Sequence, residues 1–255
     1  MDMEKRIADI LNSANRRFYD GHAAGFSATR ERPWEGWGAV GEAVCATAAS
    51  DGAGSGVAAL RVIDVGCGNM RFEAFLETTY PQMEFDFTCI DACTLLVPER
   101  AGRRFIEQDV VSSLLAGAPI AGGCGEGFDA AVAFGIMHHV PGRECRAEFL
   151  RQLCACVRPG GLVAVSFWQF ASVPKLKAKA AEATRRAYGE LGIAPGDLEE
   201  GDFFLGWADD ASALRYCHSF DDGEIDGLLA CVADSARTQA RYRADTANAY
   251  VLLRA

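Results

Sequence analysis

The sequence predicts an α/β fold: a mostly parallel sheet with helices on both faces. Three observations predict it. Apolar strand-like runs alternate with helix-like segments across short turns, as they do when a sheet is covered on both sides. One run, Arg61-Val-Ile-Asp-Val-Gly-Cys-Gly-Asn69, breaks into a Gly-x-Gly turn and leads into a helical stretch. Acids recur at or near strand ends, at Asp64, Asp91 and Asp109. A strand, a glycine turn and a helix make the first half of a nucleotide-binding unit.

The elements follow in order. Residues 4–20 read as an opening helix, and a loop runs through Phe26-Ser-Ala-Thr-Arg30 to Pro33-Trp34. Residues 37–49 are a second helical candidate, and residues 50–56 a glycine-rich turn or linker. Residues 60–65 form the first strand, 85–90 the second and 105–106 a short third. Five glycines and one proline make residues 116–127 a flexible loop. Residues 128–134 form a fourth strand and 143–156 a helix ended by Arg158-Pro-Gly-Gly161. Residues 162–168 form a fifth strand, and residues 246–254 supply a last strand at the C-terminus. The whole, 1–255, reads as one domain with an N-terminal helical cap over about 1–50 and a helical insertion over about 171–213.

Composition bounds the function. Of 255 residues half are apolar, and no run reaches the length needed to span a bilayer, so no membrane role is expected. The N-terminus lacks an apolar signal core, which implies a cytoplasmic protein. The ten cysteines form no Cys-x-x-Cys pair and read as small core hydrophobes, so no metal site is expected. A net charge of −10 argues against a free-standing nucleic-acid binder. The charge is uneven, however: Lys175, Lys177, Lys179, Arg185 and Arg186 form a basic run on a helix, either a solvated face or a phosphate-contacting patch.

The turn itself selects the ligand. Asp91 lies 23 residues beyond Gly68, the place for a carboxylate that takes ribose hydroxyls. Asp109 follows the third strand, within reach of an adenine edge. The third glycine of the dinucleotide fingerprint is missing, and S-adenosylmethionine has no phosphate to seat. Asp64 ahead of the turn suits an ammonium-bearing ligand. The cofactor-binding candidates are therefore Asp64, Gly66, Cys67, Gly68, Asp91, Ala92, Asp109, Val110 and Phe134.

From Asp64 to Gly161 the chain resembles the class I S-adenosylmethionine-dependent methyltransferases. The resemblance implies a Rossmann-like, seven-stranded sheet with an antiparallel last strand. A narrower resemblance rests on motifs spread along the chain. They are Phe26-Ser-Ala-Thr-Arg30 with Pro33-Trp34, Asp64-Val-Gly-Cys-Gly-Asn69, and Met137-His-His139 with Arg143-Glu-Cys-Arg146. Gly201-Asp-Phe-Phe-Leu-Gly-Trp207 and Arg215-Tyr-Cys-His-Ser-Phe220 with Gly223-Glu224 complete the set. Together they resemble the tRNA wobble-uridine carboxymethyl methyltransferases, which include a yeast enzyme and the methyltransferase domain of an AlkB-type oxygenase. The resemblance implies esterification of a carboxymethyl-type uridine, tRNA as partner and a small zinc-binding activator subunit. It implies that His138 and Arg143 contact the acceptor and that Arg30 holds either the cofactor carboxylate or the acceptor. Met70 and Asn248-Ala-Tyr250 depart from that pattern, and Met70 is expected to narrow the cofactor pocket. Arg146, Trp34, Trp207, Asp202 and His218 are open between site and structural roles. The alternatives are a methyltransferase for a small carboxylate or other metabolite, and a non-catalytic module that keeps the pocket.

Overall fold

The computed structural model describes residues 3–48, 59–98, 103–207 and 210–255; the expected linker over residues 50–56 lies outside them. Its centre is a seven-stranded sheet in the order β3-β2-β1-β4-β5-β9-β8. The strands are β1 (Leu60–Val65), β2 (Phe85–Asp91), β3 (Arg104–Glu107), β4 (Phe128–Ala133), β5 (Val157–Trp168), β8 (Arg237–Ala244) and β9 (Asn248–Arg254). The first five pair in parallel, and β9 runs antiparallel between β5 and β8. Strand β8 had no counterpart in the sequence reading.

Side-chain alternation along each strand divides the core in two. In β1, Val62 joins the layer of α2 (Trp37–Ala48) and α3 (Arg71–Thr79), with Trp37, Val44, Phe72 and Leu76. Ile63 and Val65 face the other way, onto α4 (Val110–Leu115), α5 (Arg143–Cys156) and α7 (Asp222–Ala230), with Val111, Leu150, Leu153 and Leu228. Each fully buried side chain of this size contributes about 1.5–3 kcal/mol. The same alternation sends Asp64 toward the α3 side, which matters for the site.

Two additions flank the sheet. Helix α1 (Lys5–Ala28) extends beyond the expected residue 20 and takes in Phe26, Ser27 and Ala28. The expected helical insertion is corrected. Helix α6 (Pro174–Leu191) is followed by an antiparallel hairpin of β6 (Asp202–Trp207) and β7 (Asp210–His218). Helix α6 packs on β6 and α1 on β7, around Leu11, Ala187, Phe204 and Tyr216.

Candidate active site

The carboxyl ends of β1, β2, β4 and β5 open into a cavity of about 470 Å³, roofed by α1 and the residues after it. This is where ligands bind in open α/β sheets, beyond the strand ends.

The glycine turn forms its floor, with Gly66, Cys67 and Gly68 all in the wall. Gly66 has φ +83° and passes so close to Ile136 that a Cβ would come within 2.7 Å of its side chain. Gly68, at φ +53°, donates its N–H to Asp91 Oδ2 at 2.8 Å. The other oxygen, Oδ1, accepts from Cys93 N at 2.8 Å, so Asp91 is fixed in place with lone pairs to spare. Asp91, Ala92 and Phe134 line the same wall, the last edge-on to Phe72 at 4.9 Å.

Asp109 and Val110 line the adjoining wall. Asp109 caps α4, accepting from Ser112 N at 2.9 Å, Ser112 Oγ at 2.7 Å and Asn12 Nδ2 at 2.9 Å. These bonds tie α1 to the sheet and leave Asp109 less free than Asp91 to hold a ligand.

Asp64 is buried in the wall, and its Oδ1 has no partner among the described residues. Burial, then the neighbouring carboxyl of Glu73, pushes its pKa well above the usual carboxylate range. Glu73 is raised too, chiefly by burial, and accepts from Cys89 Sγ at 3.0 Å. Glu73 is absent from the sequence reading; its signal was an acid in the first turn of the helix after the glycine turn. An unpartnered buried carboxyl oxygen in the wall suits an ammonium group, and the fixed carboxylate of Asp91 suits vicinal hydroxyls. The donor set thus fits S-adenosylmethionine.

Arg30 and His138 also line the cavity. The end of α1 and the residues after it are held down by the glycine turn: Asn69 Nδ2 donates to Ser27 Oγ at 3.0 Å and to Arg30 O at 3.2 Å. The Arg30 guanidinium lies 3.4 Å above the Phe26 ring. Burial, then the charge of Arg215, brings its pKa down to about 10, so it remains a cation at neutral pH. His138 sits in the tight turn Met137–His139 after β4, and its Nδ1 is buried with no partner among the described residues. Burial, then His139, Arg215 and Arg30, hold it well below its usual pKa and therefore neutral.

Arg143 is the exception. It opens α5 on the exposed side, outside the cavity wall, with its guanidinium against Gly227 of α7. The chain turns away from the site at Pro141 and Gly142, so the expected acceptor contact is corrected. Arg146 is equally remote. It is buried between Glu199, at 2.6 Å, and Glu224, at 3.0 Å. His218 bridges Asp202 at 2.7 Å and Glu224 at 2.6 Å, and Tyr216 Oη donates to Asp202 at 2.7 Å. Asp202 and His218 thus belong to a structural network that fastens the hairpin to α5 and α7. Trp34 lines the cavity, whereas Trp207 stands behind it.

His138, His139 and Cys217 cluster closely enough to suggest a metal. Their surroundings oppose it. His139 Nε2 faces Tyr19 Oη at 2.9 Å and its Nδ1 faces Tyr216 O at 2.8 Å, while Arg30 and Arg215 add positive charge. Met70 does not enter the cavity wall either; its side chain is buried among α2 and α3, so the expected narrowing is corrected.

A five-strand parallel run, an antiparallel strand inserted next to its edge and a ligand-ready glycine turn decide the architecture. The fold is that of the class I methyltransferases. No family model and no curated relative matches the sequence. Solved methyltransferase structures do match the fold. A SAM-dependent methyltransferase from Methanosarcina mazei covers 77% of this chain and 92% of its own, at 15% identity and TM-score 0.52. The 1,6-didemethyltoxoflavin-N1-methyltransferase of Burkholderia thailandensis, with bound 1,6-didemethyltoxoflavin and S-adenosylhomocysteine, covers 97% and 88%, at 16% and 0.54. A SAM-bound amino pentose methyltransferase from Micromonospora echinaspora covers 91% and 95%, at 18% and 0.54. Among the described residues of this methyltransferase fold, no helix is long and apolar enough to cross a membrane.

Proposed function

We propose that this protein is an S-adenosylmethionine-dependent methyltransferase that esterifies the carboxylate of a carboxymethyl-type wobble uridine in tRNA. One observation carries the carboxylate: the wall that holds Asp64 and Asp91 of the glycine-turn region also holds the Arg30 cation and neutral His138. The ordered motifs from Phe26 to Glu224 support the uridine and, with it, a small activator subunit that would add basic surface.

When bound, the cofactor supplies an electrophilic sulfonium methyl. The residues here have a modest task. A carboxylate acceptor is already ionised at neutral pH, so no general base is needed. Arg30 holds one carboxylate oxygen through charge-assisted hydrogen bonds worth about 1.5–3 kcal/mol. Neutral His138 offers a hydrogen bond without competing for the acceptor's charge. Asp91, Asp64 and the glycine turn fix the cofactor, so that most of the rate enhancement comes from alignment.

A second reading is favoured by the charge of −10 and by the size of the cavity: a small-molecule carboxylate as acceptor. Nucleoside mass spectrometry of tRNA from cells with and without this protein separates the two. Loss of a carboxymethyl ester supports the tRNA reading. An unchanged profile, together with methylation of free acids by the purified protein, replaces it with the second.

A further inference from the structure

The geometry points to Arg215 as the residue that selects the acceptor, by binding an anionic group carried on a planar ring. This rests on the carboxylate reading above and adds the residue that recognises it.

Arg215 comes from β7 and lines the cavity, yet it is only 6% exposed. Among the described residues it has no carboxylate partner, and its Nε has no hydrogen-bond partner at all. Leaving a guanidinium buried and unpaired is costly, so such a group marks a place where a ligand supplies the missing anion. Its setting is aromatic. The guanidinium carbon lies 5.2 Å from the Phe18 ring, 5.4 Å from Phe26 and 6.0 Å from Trp168. Phe26 and Trp168 are themselves in the cavity wall, so a planar acceptor finds ring faces next to the charge.

Its orientation is fixed from behind. Tyr19 lies within the influence of the Arg215 charge and faces His139 Nε2 at 2.9 Å. His139 Nδ1 in turn faces the Tyr216 carbonyl at 2.8 Å, the residue next to Arg215. Asn15 Nδ2 also lies 3.2 Å from that nitrogen, and Asn15 Oδ1 accepts from Tyr216 N at 2.7 Å, so α1, His139 and β7 are tied together behind Arg215. Arg30 shares the Phe26 ring with Arg215. Two cations near one ring favour an acid and reject an amine.

The test uses the full chain saturated with S-adenosylhomocysteine and three uridines as probes. They are 5-carboxymethyluridine, plain uridine and 5-aminomethyluridine, with binding followed by calorimetry. The acid should bind at least about tenfold more tightly than the other two, a difference of about 1.4 kcal/mol. Arg215→Gln should abolish that preference and leave S-adenosylhomocysteine affinity unchanged. Arg215→Lys should restore part of it, through charge without the planar fork. Equal binding of acid and amine by the wild-type protein overturns the proposal without recourse to any variant, and so does a preference that survives Arg215→Gln. The methyl-transfer reading fails separately: acid bound selectively but never esterified on addition of S-adenosylmethionine would sink that reading and leave Arg215 standing. Benzoate as a fourth probe distinguishes the source of the ring. If it competes as well as the nucleoside, a free aromatic acid suffices; weaker competition points to a nucleotide. Either result is compatible with selection by Arg215.

Discussion

Glu73, from the first turn of α3, lies beside Asp64 at the end of β1, and both carboxyl groups are buried beneath the glycine turn, where the Glu73 charge adds to burial in raising Asp64. Two carboxylates cannot both stay ionised in such a place, so the pair retains a proton well above the pH at which an exposed acid loses it. A ligand ammonium arriving at Asp64 reverses the balance. Binding of S-adenosylhomocysteine should therefore release up to about one proton, and affinity should rise by at most about tenfold per pH unit while the pair is protonated. Calorimetry in two buffers of different ionisation heat measures this directly. Glu73→Gln should diminish the release; the same release in that variant would locate the proton elsewhere.

Asp91 holds the turn as well as facing the cavity, because Gly68 N and Cys93 N both donate to it. Asp91→Ala should weaken S-adenosylhomocysteine binding by about 10–100-fold, the loss of one or two charge-assisted hydrogen bonds. Fluorescence titration reads the effect, and an unchanged dissociation constant would remove Asp91 from the cofactor site.

His218 should make stability depend on pH. Burial alone would lower its pKa, but the carboxylates of Asp202 and Glu224 outweigh burial and raise it. An unfolded histidine titrates near about 6.5. The stabilisation is therefore complete below that pH and disappears as pH rises through the higher folded value. His218→Gln should cost about 1–3 kcal/mol at pH 6 and less at pH 9. Thermal melts at the two pH values provide the comparison; an equal cost at both would mean that His218 is neutral in the fold. Arg146→Ala in the same network should cost about 3–5 kcal/mol, because it takes the cation from between Glu199 and Glu224 and leaves Glu224 with His218 alone.

Met70 precedes α3 with φ +55°, a left-handed conformation that glycine adopts freely and methionine does not. Met70→Gly should relieve about 1 kcal/mol of backbone strain yet lose a buried side chain worth about 2–5 kcal/mol. The net change should be destabilising by about 1–4 kcal/mol, with cofactor affinity unaltered. A variant more stable than wild type in urea would show that the strain outweighs the packing.

The strands whose ends line the cavity were legible because each is a nearly continuous apolar run with a turn after it. Asp64 and Asp91 could be placed from those runs alone. Strand β8 escaped notice because it is an edge: Arg237-Thr-Gln-Ala-Arg-Tyr-Arg243 has one wet face and little apolar signal. The hairpin β6–β7 was hidden by its neighbour, since the strong helical pattern of α6 coloured the whole segment through residue 213. Arg215 stood in a quoted motif, but no spacing rule shows that its cage comes from α1 and β5, nearly 200 and about 50 residues away. Arg143 was misplaced for the opposite reason. It is close to His138 in sequence, but the helix it begins runs away from the site.

Helix α1 and the β6–β7 hairpin touch each other over one end of the sheet, and the sheet itself supplies the glycine turn and Asp91. The molecule therefore divides its labour. If Arg215 selects the acceptor as proposed, substitutions on the hairpin would change what is methylated, while the glycine turn and Asp91, which come from the sheet, would keep their geometry.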